Sequence, residues 1–383
     1  MNRIGKKWTL IGAAALIVLM IGQQPYAFAV KQEKTLEMTM TVQASTTAAF
    51  VSELDIASKE MTRAVSRAKV EHAVDASFLP DIDIAISEAN QITHYRLESS
   101  GSLWREEAAE RLVLPRQAAD RLLRLADTLR SQHYGKQLSW QEAQQRIPNK
   151  SIFSITDLES GLTFQVQRRA GKDHADVQPM TKADSRIMKQ IYNDKWSWKR
   201  KAVLIHAGNE WIAASMNGMP HGGDGIPENG FSGHFCIHFY LSSTHKSDQP
   251  DPAHQMMVHK AAGRLQPYFE SAAPLVLARS FIDIMYHQDA ALLHAISTGM
   301  PKEKQKYFAE EMSTLVSIRE EKQKNNKTII SSSPPELDGQ LSAEIKLPVS
   351  VHKQNKPRQH IVYSFAFNRS SVQSPWRISD ISY

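Results

Sequence analysis

One cysteine in 383 residues is the first scarcity of this chain. A lone thiol closes no internal disulfide, so Cys236 is buried filler, an intermolecular link or a reactive group. Long apolar runs are scarce as well. The stretch from Trp8 to Gly22 is about 15 residues, short of the roughly 20 that a spanning helix needs. No dense Lys/Arg stripe accompanies the formal charge of +6, which argues against a nucleic-acid partner. Internal repeats are absent. What remains, 42% hydrophobic and 22% charged, is the composition of a globular chain, and its length calls for two or three domains around more than one core.

The short apolar run follows Arg3, Lys6 and Lys7 and precedes the small residues Ala27–Ala29, the layout of a cleavable signal over residues 1–29. Removing its three cations and no acid leaves 6 − 3 = +3. The expectation is an extracytoplasmic, cell-wall-associated protein with no integral membrane span after cleavage.

The expected fold class is α+β and multidomain. Residues 30–135 read as a helical region. Phe50, Leu54, Ala57, Met61, Ala64 and Ala68 recur at three- and four-residue steps, as do Ile82, Ala85, Ala89 and Ile92. A third helix is expected from Leu103 to Leu114, and a fourth after Pro115 with Ala118, Leu122, Leu125 and Leu129 in step. Residues 136–263 read as β-rich, with a helix from Thr181 to Tyr192, strands at "AVLIHAG" and "EWIAASM", and a helix at "DPAHQMMVHKAAG". Residues 264–383 read as amphipathic helices followed by strands, in which Leu341, Ala343, Ile345, Leu347, Val349 and Val351 alternate, then Ile361, Tyr363, Phe365 and Phe367. That pattern resembles a cystatin-like or NTF2-like α+β cone.

Chemistry concentrates in "MPHGGDGIPENGFSGHFCIHFYLSSTH", residues 219–245, which hold the cysteine and four of the fifteen histidines. In a strand, His234, Cys236 and His238 share one face, and Phe235, Ile237 and Phe239 share the other. One face then joins a core while the other presents chemistry. The glycine-rich stretch before it predicts a loop that carries His221 back over the strand. An imidazole beside a thiol lowers its pKa and serves as general base, and the backbone amides from Ser232 to Phe235 are candidates for an oxyanion hole.

On these residues the segment "H…SGHFC" resembles the L,D-transpeptidase (YkuD-type) signature. The resemblance implies Cys236 as nucleophile, His221 as base and His234 as the histidine beside the nucleophile, acting on peptidoglycan stem peptides. Phe235 stands where that signature has glycine, Gly233 where it has the hydroxyl residue, and His238 where Arg or Asn is usual. A broader similarity, from "ITDLESG" through "AASMNGMPHG", "GHFCIHF" and "DPAHQ", is to a module found downstream of peptidoglycan-binding repeats in exported Gram-positive proteins. It implies a wall context.

Three readings follow. In the first, Cys236, His221, His234 and His238 carry cysteine acyl transfer without a cofactor, and Ser232, Gly233, Asn217, Trp196 and Trp198 bind substrate, the tryptophans stacking on sugar rings or closing a core edge. In the second, His221, His234, His174, Asp176 and His245, with Asp224 as a substitute, hold a catalytic zinc. The "KDHAD" pair, His174 and Asp176, loosely resembles zinc D,D-peptidases. Strand rise separates His234 from His238 by about 13 Å, which denies them a common ion, whereas positions two apart, at roughly 7 Å, are close enough. In the third, the module binds wall without catalysis. His254 and His245 orient the site or cap local structure.

Overall fold

The first described segments alternate with period two and form strands, not the helices suggested by their three- and four-residue spacings. The computed structural model describes residues 36–74, 76–88, 91–223, 225–244, 247–321 and 337–383; the expected signal, Asp224 and His245 lie outside the described residues. Strands β1 (Glu37–Gln43) and β2 (Val51–Asp55) precede the helix α1 (Lys59–Ser66). Strands β3 (Lys69–His72), β4 (Phe78–Glu88), β5 (Gln91–Glu98), β6 (Leu103–Arg105) and β7 (Glu110–Val113) follow. Together they make a seven-stranded sheet in the order β2-β1-β4-β5-β6-β7-β3.

The helical reading of residues 30–135 is thus corrected. In "DIDIAIS" the buried apolar set is Ile82, Ile84 and Ile86, and its period of two outweighs the weaker helical step that linked Ile82 to Ala85. Residues 103–114 form a strand, one 3-10 turn and a strand, because Ala109 sits at φ 47 and stops a helix from propagating. Of the first expected helix only the second half forms, as α1, which buries Met61 and Ala64, since Val51–Asp55 is β2; the helix expected after Pro115 forms as α2 (Arg116–His133) and buries Ala118, Leu122 and Leu129.

After the short helix α3 (Trp140–Arg146) come β8 (Ile152–Asp157), β9 (Thr163–Ala170), β10 (Ala175–Pro179), α4 (Lys182–Ile191), β11 (Arg200–Ala207), β12 (Glu210–Asn217) and β13 (Phe235–His238). The six strands close into a barrel in the order β10-β13-β12-β11-β8-β9. Phe153, Ile155, Phe164, Val166, Ala175, Val177, Val203, Ile205, Ile212, Ala214, Met216, Phe235 and Ile237 form one buried cluster. They occupy alternate positions on all six strands, so they fill the barrel, and their neighbours face outward. The helix α4 begins at Thr181 with a capping box to Asp184.

Outside the barrel lie the two-residue strand β14 (Ser243–Thr244), β15 (Ser247–Pro250), α5 (Pro252–Ala261) and α6 (Leu265–Ser271). Next are α7 (Pro274–His287), α8 (Ala290–Ile296), α9 (Lys302–Thr314) and strands β16 (Leu315–Glu320), β17 (Ser342–Lys353), β18 (Gln359–Asn368) and β19 (Arg377–Ser382). The last four form an antiparallel sheet in chain order, and the expected alternation is present: Ile345, Leu347, Val349 and Val351, with Tyr363, Phe365 and Phe367, are buried. Phe281 of α7 meets Phe365 of the sheet and Phe308 of α9 edge-on at 5.6 and 5.1 Å.

Residues 36–383 form one compact unit. A second buried cluster runs from the N-terminal sheet and α2, through Ala202, Leu204 and Ala213 on the outer face of the barrel, to α5–α9 and the C-terminal sheet. Buried Lys260 of α5 ties these parts together, bridging Glu159 of the barrel at 2.6 Å and Asp289, the cap of α8, at 2.7 Å. Among the described residues no helix is long and apolar enough to cross a membrane.

Candidate functional site

With Phe235 and Ile237 committed to the barrel interior, Cys236 and His238 face outward. The same parity on β10 and β12 turns Asp176, Ser215 and Asn217 outward beside them, since Ala175, Val177, Ala214 and Met216 point in. Asp176 is the register partner of Cys236. The outer surface of the barrel therefore gathers polar groups from three adjacent strands onto one patch.

The glycine-rich loop returns as expected. His221 and His234 pair backbone to backbone, each N–H donating to the other's carbonyl at 2.9 and 2.7 Å. This approach needs two glycines. A Cβ on Gly233, at φ +92, would lie 2.2 Å from the His221 carbonyl oxygen, and one on Gly222, at φ +71, would lie 2.3 Å from the His234 ring. Further along, the loop is pinned by Asn229, whose Nδ2 donates to the Pro179 carbonyl at 2.9 Å while its own carbonyl accepts from Ser185 Oγ at 2.7 Å.

His221 Nε2 comes to 3.2 Å from Cys236 Sγ. Its Nδ1 lies 2.9 Å from the Met219 carbonyl. A carbonyl only accepts, so Nδ1 carries the proton and Nε2 offers a lone pair to the thiol. Asp176 Oδ1 sits 3.8 Å from the sulfur, 3.7 Å from His234 Nε2 and 3.2 Å from His174 Nε2. His174 in turn donates from Nδ1 to the Ser243 carbonyl at 3.0 Å. Burial first, then the Asp176 carboxylate, push the Cys236 thiol well above the ordinary thiol range, against smaller opposing effects of a hydrogen bond from Asn217 and the charge of Arg200. This reverses the lowered thiol pKa anticipated from the neighbouring imidazole. The sulfur lies buried between Asp176 of β10 and Asn217 of β12 under the His221 ring, and the acid of that set is Asp176.

Behind Cys236 the imidazoles stack. His238 lies 4.5 Å from His174 and 3.8 Å from His254 of α5, ring centre to ring centre. His254 is held by Ser215 Oγ at 2.8 Å and His238 by Ser242 Oγ at 3.1 Å. All three are buried, and desolvation, then the neighbouring imidazole of His238, hold His254 far below the usual imidazole range.

No family model, no curated protein and no solved structure matches this chain.

Of the residues singled out in the sequence, the structure brings His221, His234, Cys236, His238, His174 and Asp176 together. Asn217 joins them as a buried partner of the sulfur. The tryptophans separate: Trp198 is exposed and lies 5.1 Å from the His221 ring, whereas Trp196 packs edge-on against Phe231 at the barrel end. Ser232 is exposed. The His234 amide is engaged by the His221 carbonyl, which takes it out of the set of oxyanion donors. The Met219 carbonyl had no sequence signal, since any residue supplies one. Ser215 was equally hidden, whereas His254 is expected from the sequence to orient the site or cap local structure; the structure sets the two 2.8 Å apart, Ser215 Oγ to His254 Nδ1.

His221, His234 and Cys236 form one group whose ligand atoms lie within 4.8 Å of one another, and His174, Cys236 and His238 form another. The two groups share the sulfur, and neither includes both His234 and His238, as the strand spacing required. Cys236 belongs to both, a role outside the histidine-and-carboxylate set expected for zinc.

Proposed function

We propose that this protein is an extracytoplasmic cysteine acyltransferase acting on peptidoglycan stem peptides, in the manner of the L,D-transpeptidases that its "H…SGHFC" segment resembles. The supporting observation is the Cys236–His221 pair: a thiol 3.2 Å from an imidazole nitrogen whose partner nitrogen is locked on the Met219 carbonyl. Nucleophile, base and orienting group stand in the order that nucleophilic catalysis uses.

Because the resting sulfur is held as a thiol, proton transfer accompanies attack. Cys236 Sγ forms a bond to the stem-peptide carbonyl carbon as its proton passes to His221 Nε2, and the carbonyl electron pair moves to oxygen. Collapse expels the C-terminal amino acid, whose nitrogen takes the proton from His221. An amine or water then attacks the thioester as His221 accepts its proton, and collapse breaks the carbon–sulfur bond while His221 returns that proton to the departing sulfur, restoring the thiol. Trp198 beside His221 offers an apolar wall to the incoming peptide or sugar.

The test is acylation by a carbapenem, followed by turnover of isolated wall peptides. A covalent adduct at Cys236, and loss of turnover in Cys236→Ala, are expected. Turnover that survives Cys236→Ala and disappears with a chelator supports a zinc peptidase in its place. Sedimentation with sacculi and no exchange of any peptide supports a binding module.

A further inference from the structure

We infer that Cys236, His221 and His234 make up a site for a thiophilic divalent cation of the zinc class, with the Asp176 carboxylate standing beside it. Binding at this site rests on the geometry alone. Its consequence, that the ion withdraws nucleophile and base together and switches acyl transfer off, rests on the thiol reading above.

The closest separations suit neighbouring corners of a tetrahedron around a metal. Zinc-to-nitrogen and zinc-to-sulfur bonds of about 2.0 and 2.3 Å place ligand atoms roughly 3.3–3.6 Å from one another. Here His221 Nε2 to Cys236 Sγ is 3.2 Å, His234 Nε2 to Asp176 Oδ1 is 3.7 Å, and Cys236 Sγ to Asp176 Oδ1 is 3.8 Å. The remaining His221, His234 and Cys236 separations fall within 4.8 Å, and the Asp176 carboxylate stands beside His234 and the sulfur.

The surroundings match what metal sites require of the groups behind their ligands. His221 is oriented by the Met219 carbonyl. Asp176 is braced by His174, itself fixed on the Ser243 carbonyl. The backbone pairing of His221 with His234 sets the two rings 4.5 Å apart. The thiolate and the adjacent Asp176 carboxylate offset the two charges of the ion, which suits a mostly buried place. A thiol that bonds to such an ion does so as the thiolate and releases its proton to solvent.

The second group, His174, Cys236 and His238, is buried throughout. His221 and His234 are partly exposed, which gives an ion a way in. Because both groups use one sulfur, the reachable one is the site. A thiolate with imidazoles selects zinc, cobalt(II) or copper over calcium and magnesium.

The experiment uses the full chain and needs no substrate. Zinc is titrated against a competing chelator, cobalt(II) is followed by its absorption, and Cys236 is alkylated with iodoacetamide with and without zinc. One zinc per chain, release of about one proton and a thiolate-to-cobalt charge-transfer band are expected. Alkylation slows at least ~10-fold and recovers with EDTA. His234→Ala and Asp176→Asn weaken zinc about 10- to 100-fold, while His238→Ala keeps it. The absence of both stoichiometric zinc and the cobalt band in the wild-type chain overturns the site, and so does zinc affinity unchanged in Cys236→Ser with an intact thermal transition. The two readings fail separately. Zinc binding without any carbapenem adduct removes the acyltransferase and leaves the site; a carbapenem adduct that stoichiometric zinc does not slow removes the switch.

Discussion

Gly222→Ala and Gly208→Ala form a matched pair that isolates the geometry of the His221–His234 bridge. Both glycines occupy the left-handed region, at φ +71 and φ +62, so each alanine bears a similar backbone cost of about 1–2 kcal/mol. Their surroundings differ. A Cβ at Gly208 meets nothing within 4 Å, whereas a Cβ at Gly222 lies 2.3 Å from Cε1 of the His234 ring. To reach an ordinary 3.4 Å contact that ring must retreat by 3.4 − 2.3 = 1.1 Å. It stands edge-on to His221 at 4.5 Å, so the displacement is delivered to the base that faces Cys236. A misplacement of about 1 Å at a reacting group costs on the order of 10²-fold in rate. Denaturant unfolding should therefore show similar losses for the two variants, while carbapenem acylation of Cys236 falls by roughly that factor only in Gly222→Ala. Equal acylation rates in the two would refute the idea that this glycine sets the distance between imidazole and thiol.

Acid should weaken the fold through its buried neutral imidazoles. Burial, then Arg200, lowers His287 from 6.5 to about 3, so the unfolded chain binds the extra proton first as pH falls. The stability is complete above about pH 6.5 and drains away between there and about pH 3, to a ceiling of roughly 5 kcal/mol; a slope unchanged in His287→Asn, which keeps an acceptor for the Arg200 amide, would count against this. Lys260→Met strands the Glu159 and Asp289 carboxylates and should cost about 3–5 kcal/mol in chemical denaturation; a loss below about 1 kcal/mol would mean that the triad adds nothing. Phe235→Gly, which reinstates the glycine of the transpeptidase signature, should abolish the thermal transition or lower stability by at least ~4 kcal/mol without raising acylation, because Phe235 fills the barrel against Phe164 and Phe231. A stable, faster variant would show that the residue obstructs substrate.

Legibility followed the strength of local periodicity. The strands of the C-terminal sheet, α2 and α4 were readable because long alternations or capping residues leave little choice: Thr181 and Asp184 satisfy each other's backbone wherever that helix sits. The N-terminal sheet was misread because Ile82, Ala85, Ala89 and Ile92 satisfy a helical step by coincidence. Short apolar segments fit both periods, and it is the neighbouring strands, β1 and β5, that decide between them. At the site, alternation alone divided Phe235 and Ile237 from Cys236 and His238. The loop glycines pointed to a return over the strand.

By itself, then, the sequence determined which side chains of "GHFCIHF" share a face, since a strand has a period of two and no other. It also determined that a loop rich in glycine brings His221 near them. Barrel closure was beyond it, because closure depends on pairing β10 with β13 across some 60 residues, a contact with no local signature. That closure sets Asp176 beside Cys236, while the returning loop lays His221 against the buried sulfur. Reactive residues are chosen locally; the charge and solvent that govern them arrive from strands and helices distant in the chain.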